Sequence, residues 1–151
     1  MLFVCTGNLC RSPFAEHLFR REAAGAGLRA EAESAGTFTV VGERVPEVGV
    51  EVGREFGVDL SSHLARLLDA PLLRRADLAL GMTRAHQEEL RALRESSGAK
   101  GRLRLLGEFD GGSEEIPDPY GLEPDAFRET YARIEACVRA LVERLRARAP
   151  D

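Results

Sequence analysis

The segment Cys5-Thr6-Gly7-Asn8-Leu9-Cys10-Arg11-Ser12 places a thiol and a guanidinium six positions apart, directly after the apolar run Met1-Leu2-Phe3-Val4. Those residue types can build a phosphate cradle that carries its own nucleophile. Backbone N–H groups from Thr6 to Arg11 can converge on an anion, and a helix starting after the loop adds its positive end. Arg11 offers a planar fork for two phosphoryl oxygens, a geometry that lysine does not copy. The same positive field favours the thiolate of Cys5, which is the attacking form. Gly7 and Asn8 are expected to take left-handed conformations where the loop curls. Ser12 is expected to donate a hydrogen bond to the cysteine sulfur and so improve it as a leaving group later. Asn8 is the only asparagine in 151 residues, in a chain with one glutamine, Gln87, and one lysine, Lys100.

A thiolate that takes phosphate from a phenol must expel a leaving group of pKa about 10, so a proton donor is needed. Asp118 is the candidate. It lies in Ile116-Pro117-Asp118-Pro119-Tyr120, where the two prolines stiffen the loop around the carboxyl group. In a second step the same carboxylate can take a proton from the attacking water. Arg11 and the loop amides supply the charge that metal ions give other phosphoryl-transfer enzymes, so no metal or cofactor is expected in the reaction.

The elements that must hold these residues follow from hydrophobic spacing. Met1 to Val4 reads as a strand, and Pro13 to Ala24 as a helix carrying Phe14, Leu18 and Phe19, with Pro13 at its first position and Gly25 and Gly27 at its stop. Ala30, Ala32 and Ser34 alternate across Arg29 to Ser34 as a second strand. Val45, Val48, Val52 and Phe56 predict a helix over Pro46 to Phe56, despite two interior glycines. Leu78 to Met82 reads as a buried strand, about Thr83 to Glu95 as a helix, and Leu103 to Leu106 as the fourth strand. Phe127, Tyr131, Ile134, Val138, Leu141 and Leu145 step at helical intervals along the last helix. The polar and glycine-rich stretch Glu108 to Glu115 reads as a mobile surface loop. Strands alternating with helices predict an α/β fold, a four-stranded parallel sheet flanked by helices on both faces, in one domain. Ligands of such sheets bind beyond the carboxyl ends of the strands, where Cys5 sits.

Hydrophobic residues make up 44%, charged residues 30%, and the net charge is -4. This lacks the basic excess that a nucleic-acid partner requires. No basic leader or membrane-length apolar stretch is seen, so a cytoplasmic monomer is expected, with its three cysteines kept reduced. Twenty of the 21 basic residues are arginine, which fits a GC-rich genome or a heat-adapted source equally.

The chain resembles the low-molecular-weight protein-tyrosine-phosphatases. Members of that family carry Cys-x-x-Gly-Asn-x-Cys-Arg-Ser-Pro after a strand, matched here from Cys5 to Pro13, and a late Asp-Pro-aromatic, matched at Asp118 to Tyr120. Ser34-Ala35-Gly36-Thr37, His63-Leu64-Ala65-Arg66 and Ala76-Asp77-Leu78 also resemble family segments, so the likeness spans nearly the whole chain. The resemblance implies a flavodoxin-like fold, with Cys5 as nucleophile forming a phosphocysteine intermediate, Arg11 binding phosphate and Asp118 as acid and base. It also implies that Asn8, Ser12 and His63 form the network that holds the loop in shape. A phosphorylated protein or peptide is the implied substrate, and phosphate or vanadate the implied inhibitor.

Several residues carry two readings. Cys10 is either a packed loop residue or the partner that captures oxidised Cys5 in a disulfide, which requires Cα atoms within roughly 7 Å. Cys137 is assigned to the core, and His17 and His86 to solvated helix surface. The three histidines and three cysteines form no compact cluster along the sequence, so no metal site is expected from them.

Substrate choice within the structural group turns on a few positions. Arsenate reductases of this fold use two further cysteines after the third strand, and Asp77 to Pro117 contains none. Bacterial protein-arginine phosphatases resemble this chain in Ser34 to Phe38, in Met82-Thr83 followed by His86, and in the single aromatic of Tyr120-Gly121. They resemble one another in a threonine where this chain has Leu9. Leucine offers an apolar wall suited to a phenyl ring, with Phe38 and Tyr120 as further walls. Phosphotyrosine is therefore ranked above phosphoarginine. A module that binds phosphopeptide without turning it over would need neither Cys5 nor Asp118.

Overall fold

The computed structural model describes residues 1–149. Four parallel strands, β1 (Leu2–Cys5), β2 (Glu33–Gly36), β3 (Leu78–Gly81) and β4 (Arg102–Leu105), form one sheet in the order β2-β1-β3-β4. Around it lie α1 (Arg11–Gly25), α2 (Glu47–Glu55), α3 (Ala70–Arg74), α4 (Arg84–Ser97) and α5 (Pro124–Arg148). Among the described residues, no helix is long and apolar enough to cross a membrane.

The two-residue period of β1 divides the core. Phe3 and Cys5 face a cluster built with α1, α2 and α5, whereas Leu2 and Val4 face a smaller one containing Leu72, Leu73 and Leu90 from α3 and α4. On the larger side Phe14 of α1 stacks on Tyr131 of α5 with ring centroids 4.0 Å apart, and Phe127 meets Tyr131 edge-on. One glycine of α2, Gly49, serves this packing. A Cβ on Gly49 would sit 3.1 Å from Phe127 Cε1 and Tyr131 Oη, so the missing side chain lets α2 approach α5. Cys137 is fully buried in this cluster.

Several boundaries differ from the sequence expectation. The second strand runs over Glu33–Gly36 rather than Arg29 to Ser34, because its ladder with β1 begins where the Glu33 N–H donates to Met1 O. Phe3 pairs with Ser34 and Cys5 with Gly36, so the strand delivers Ser34 and Gly36 beside the loop that follows β1. The first helix starts at Arg11, which makes Pro13 its third residue; the missing N–H still falls among the first-turn donors that have no partner in the helix. The fourth strand ends at Leu105, and Leu106 opens a short 3-10 turn. The short α3 was not foreseen. Its signal was Asp69-Ala70-Pro71: Asp69 Oδ1 accepts from the Leu72 N–H at 2.9 Å, and proline stands in the first turn. In the stretch Glu108 to Glu115, Asp110 is pinned by Arg133 Nε at 2.6 Å.

Candidate active site

Residues 6–10 leave the carboxyl end of β1 and turn into α1. The curl needs one left-handed residue, and that residue is Asn8 alone, at φ 54°. Gly7 does not take a positive φ, contrary to the sequence expectation, so Asn8 makes the reversal by itself. The glycine that the loop does require is Gly36 on the neighbouring strand. A Cβ there would lie 2.5 Å from Thr6 O and 3.0 Å from Asn8 N, so any side chain would push the loop off the sheet.

A left-handed asparagine is costly unless its surroundings define it. Asn8 is fully buried and its amide is saturated. Nδ2 donates to Ser12 Oγ and to Ser34 Oγ, each at 2.9 Å. Oδ1 accepts from the Arg66 N–H at 3.0 Å and lies 3.2 Å from His63 Nε2. Both acceptors opposite that nitrogen, Asn8 Oδ1 and Asn8 O, lack hydrogens, so His63 Nε2 carries the proton. The predicted trio Asn8, Ser12 and His63 thus lies together, joined by Ser34 and the Arg66 backbone, whose segments the sequence singled out without giving them a part in this network.

The direction of these bonds sets the sulfur's environment. Ser12 Oγ accepts from Asn8, so its own hydrogen is available to Cys5 Sγ, 2.9 Å away. Arg11 is buried at 3% exposure, with Nη1 donating to Ile116 O at 2.9 Å. Its Nη2 lies 3.4 Å from Asp118 Oδ2. Nε is buried and has no hydrogen-bond partner among the described residues. The Arg11 guanidinium is therefore fixed by Ile116 and Asp118, with its Nε–H left unpartnered.

Asp118 hangs over the same cavity, its side chain about half exposed at 47%. Its Oδ1 accepts from the Tyr120 N–H at 3.1 Å, an Asx turn between the two prolines. The Ile116 N–H donates to Met82 O at 2.9 Å, so the loop is clipped to the end of β3 as well as to Arg11. Leu9, Phe38 and Tyr120 line the mouth of a cavity of about 470 Å³, with Phe38 82% and Tyr120 58% exposed. Val40 and Glu43 also line it and were not foreseen, because they reach it from a long loop without patterning.

Two histidine expectations are corrected. His86 is buried rather than solvated. Its Nδ1 accepts from the Thr83 N–H at 3.1 Å as part of a capping box, so Nε2 holds the hydrogen and donates to Thr6 Oγ1 at 2.9 Å. The signal was present in Thr83 followed three residues later by a polar side chain. Burial, reinforced by the Arg11 charge, lowers the His86 pKa to about 4 from its ordinary 6.5. A depressed histidine favours the native state fully above about pH 6.5, and that advantage is lost as pH falls through about 4. On lowering pH from 7 to 5 the parent should lose about 1–2 kcal/mol more stability than a His86→Gln variant, read by urea unfolding. Equal losses would show that His86 does not titrate in this way. His17 is half-buried and faces Glu16 rather than bulk water. Cys10 is buried in the core cluster, and its thiol is pushed well up, first by burial and then by Asp118, so it stays protonated.

A parallel sheet that brings a thiol, an arginine and a loop carboxylate to one cavity fits a cysteine-dependent phosphomonoesterase. The sequence profile of the low molecular weight phosphotyrosine protein phosphatase family matches residues 1–150. The chain belongs to that family. It is 38% identical over 148 residues to the probable low molecular weight protein-tyrosine-phosphatase EpsP of Ralstonia solanacearum, covering 97% of this chain and 96% of that one. The crystal structure of a low molecular weight protein tyrosine phosphatase from T. tengcongensis is 35% identical with a TM-score of 0.85, covering 95% of this chain and 97% of that one. The YwlE arginine phosphatase, solved as a mutant with a phosphorylated active-site serine, is 32% identical with a TM-score of 0.85, covering 95% and 93%.

Proposed function

We propose that this enzyme hydrolyses phosphotyrosine in proteins or peptides through a phosphocysteine on Cys5, with Asp118 as acid and then base. Amides of Thr6 to Ser12 and the Arg11 fork hold the phosphoryl oxygens. The Cys5 thiolate attacks phosphorus in line, the P–O bond to tyrosine breaks, and Asp118 gives its proton to the departing phenolic oxygen. Water then attacks the S–P bond, Asp118 takes its proton, and Cys5 leaves as a thiolate that the Ser12 hydroxyl stabilises. The phosphorylated active-site serine of the YwlE mutant supports a covalent intermediate at the equivalent place. Inorganic phosphate and vanadate would compete for the same cradle. The reading is of a cytoplasmic monomer that needs no metal for the chemistry.

One observation carries the choice of phosphotyrosine: Leu9, Phe38 and Tyr120 surround the cavity mouth with apolar surface of the kind a phenyl ring buries. A second reading, protein-arginine phosphatase, draws support from Glu43 and Asp118, two carboxylates at the same mouth that suit a guanidinium, and from the likeness to YwlE. Specificity constants for phosphotyrosine and phosphoarginine peptides separate the two. The parent should favour phosphotyrosine, and Leu9→Thr should move the ratio toward phosphoarginine by about tenfold. A parent that strongly prefers phosphoarginine would reverse the assignment.

A further inference from the structure

Behind the catalytic loop, on the side away from the cavity, the first helix and the loop of His63 bring Glu16, His17 and His63 together. One atom from each lies within 4.8 Å of the others. Glu16 is a buried carboxylate at 4% exposure, in a position where an uncompensated charge is costly. Arg20 Nη2 approaches its Oε1 at 3.6 Å, which leaves Oε2 facing the two imidazoles. Oε2 lies 3.2 Å from His17 Nε2 and 4.0 Å from His63 Nδ1.

The hydrogen bonds already described decide what these nitrogens can offer. His63 Nε2 donates to Asn8, so in the neutral ring Nδ1 presents a lone pair toward Glu16. His17 Nε2 is buried and makes no hydrogen bond among the described residues, in spite of its closeness to Oε2. Two nitrogen atoms and a carboxylate oxygen thus converge with no hydrogen bond between them. Ligand atoms at zinc bond lengths stand about 3.3 Å apart around a tetrahedron, close to the shorter of the two separations. The donated Nε2–H of His63 is also the outer partner that zinc-bound imidazoles ordinarily have. The His17 side chain is 27% exposed although its Nε2 is buried, so the ring lies at the edge of the core rather than deep within it.

We infer that Glu16 Oε2, His17 Nε2 and His63 Nδ1 form a binding site for a divalent transition-metal ion of the zinc type, whose occupancy stiffens the catalytic loop through His63 and Asn8. An ion on Nδ1 polarises the imidazole and strengthens its hydrogen bonds to Asn8, the one left-handed non-glycine residue of the loop. The ion lies outside the phosphate cradle and takes no part in the hydrolysis. The expectation of no metal site came from histidine and cysteine spacing, which leaves out the buried carboxylate and cannot show that His17 and His63 meet across 46 residues.

The test uses the full chain with Cys5→Ser, so that the catalytic thiolate does not compete for the ion, and it reads binding rather than turnover. Cobalt(II) should be taken up at one equivalent with the strong visible absorption of a four- or five-coordinate ion. Zinc at a hundredfold excess over its Kd should raise Tm by about 8 °C. Adding His17→Ala or His17→Gln, both on a half-exposed helix position, should abolish the absorption and the Tm rise. Absence of saturable uptake at micromolar metal, or uptake and a Tm rise unchanged in both His17 variants, would overturn the inference.

Discussion

Cys5→Ser should lower turnover of aryl phosphates by about 10⁴-fold or more while leaving the protein folded and able to bind phosphate. The size of the loss follows from how the nucleophile is activated. Sγ meets Ser12 Oγ at 2.9 Å, and that hydroxyl, already accepting from Asn8, donates rather than removes a proton. The proposed attack is by a thiolate, and at neutral pH an alcohol in its place yields far less of the anionic nucleophile than a thiol does. In the proposed cradle phosphate is held by the loop amides and Arg11, so its binding does not need the sulfur. Steady-state rates with an aryl phosphate, together with phosphate binding by calorimetry, give both readings. A Cys5→Ser enzyme with more than about one per cent of parental kcat would remove Cys5 from the mechanism.

Asp118→Ala should cost about 10²–10³ in kcat on phosphotyrosine, and less than about tenfold on an aryl ester whose leaving group departs without a proton. The carboxyl is held for this task at three points. Proline flanks it on both sides, Oδ1 accepts from the Tyr120 N–H, and Oδ2 meets Arg11. In the proposed mechanism a phosphoryl group on the Arg11 fork would bring its leaving oxygen to this carboxyl, which lines the same cavity. The comparison of two leaving groups is the check, because a purely structural role for Asp118 would slow both equally. Equal losses would sink the acid assignment.

The fold was legible where hydrophobic period and punctuation agreed. Glycine 36 bounds β2, yet Ala30 and Ala32 suggested an earlier strand, since alternation of small residues does not say where a neighbouring strand begins. The third helix, five residues long, was too short for periodicity to register, and only its Asp69 cap and Pro71 marked it. The proposed catalytic residues stood out because the proposed chemistry needs particular types within two short motifs, Cys5 to Pro13 and Asp118 to Tyr120. Their supports stood out less. Ser34, Gly36, the Arg66 backbone and His86 act through contacts across 26 to 80 residues, and each alone resembles an ordinary strand, loop or helix residue.

The amino-acid sequence by itself determined the class of chemistry, because a Cys–Arg loop after a strand and a distant Asp-Pro-aromatic are a property of residue type and local spacing. It also determined the order of the four strands and the four longer helices, which the apolar periods carry. Tertiary structure decided which polar side chains share a site. Parallel pairing of β1 with β2 sets Ser34 and Gly36 against the loop, and β3 beside β1 brings His86 to Thr6. The packing of α1 against the His63 loop assembles Glu16, His17 and His63. Hydrogen bonds and ligand fields act over a few ångströms, and only the folded chain brings residues so far apart in sequence within that range.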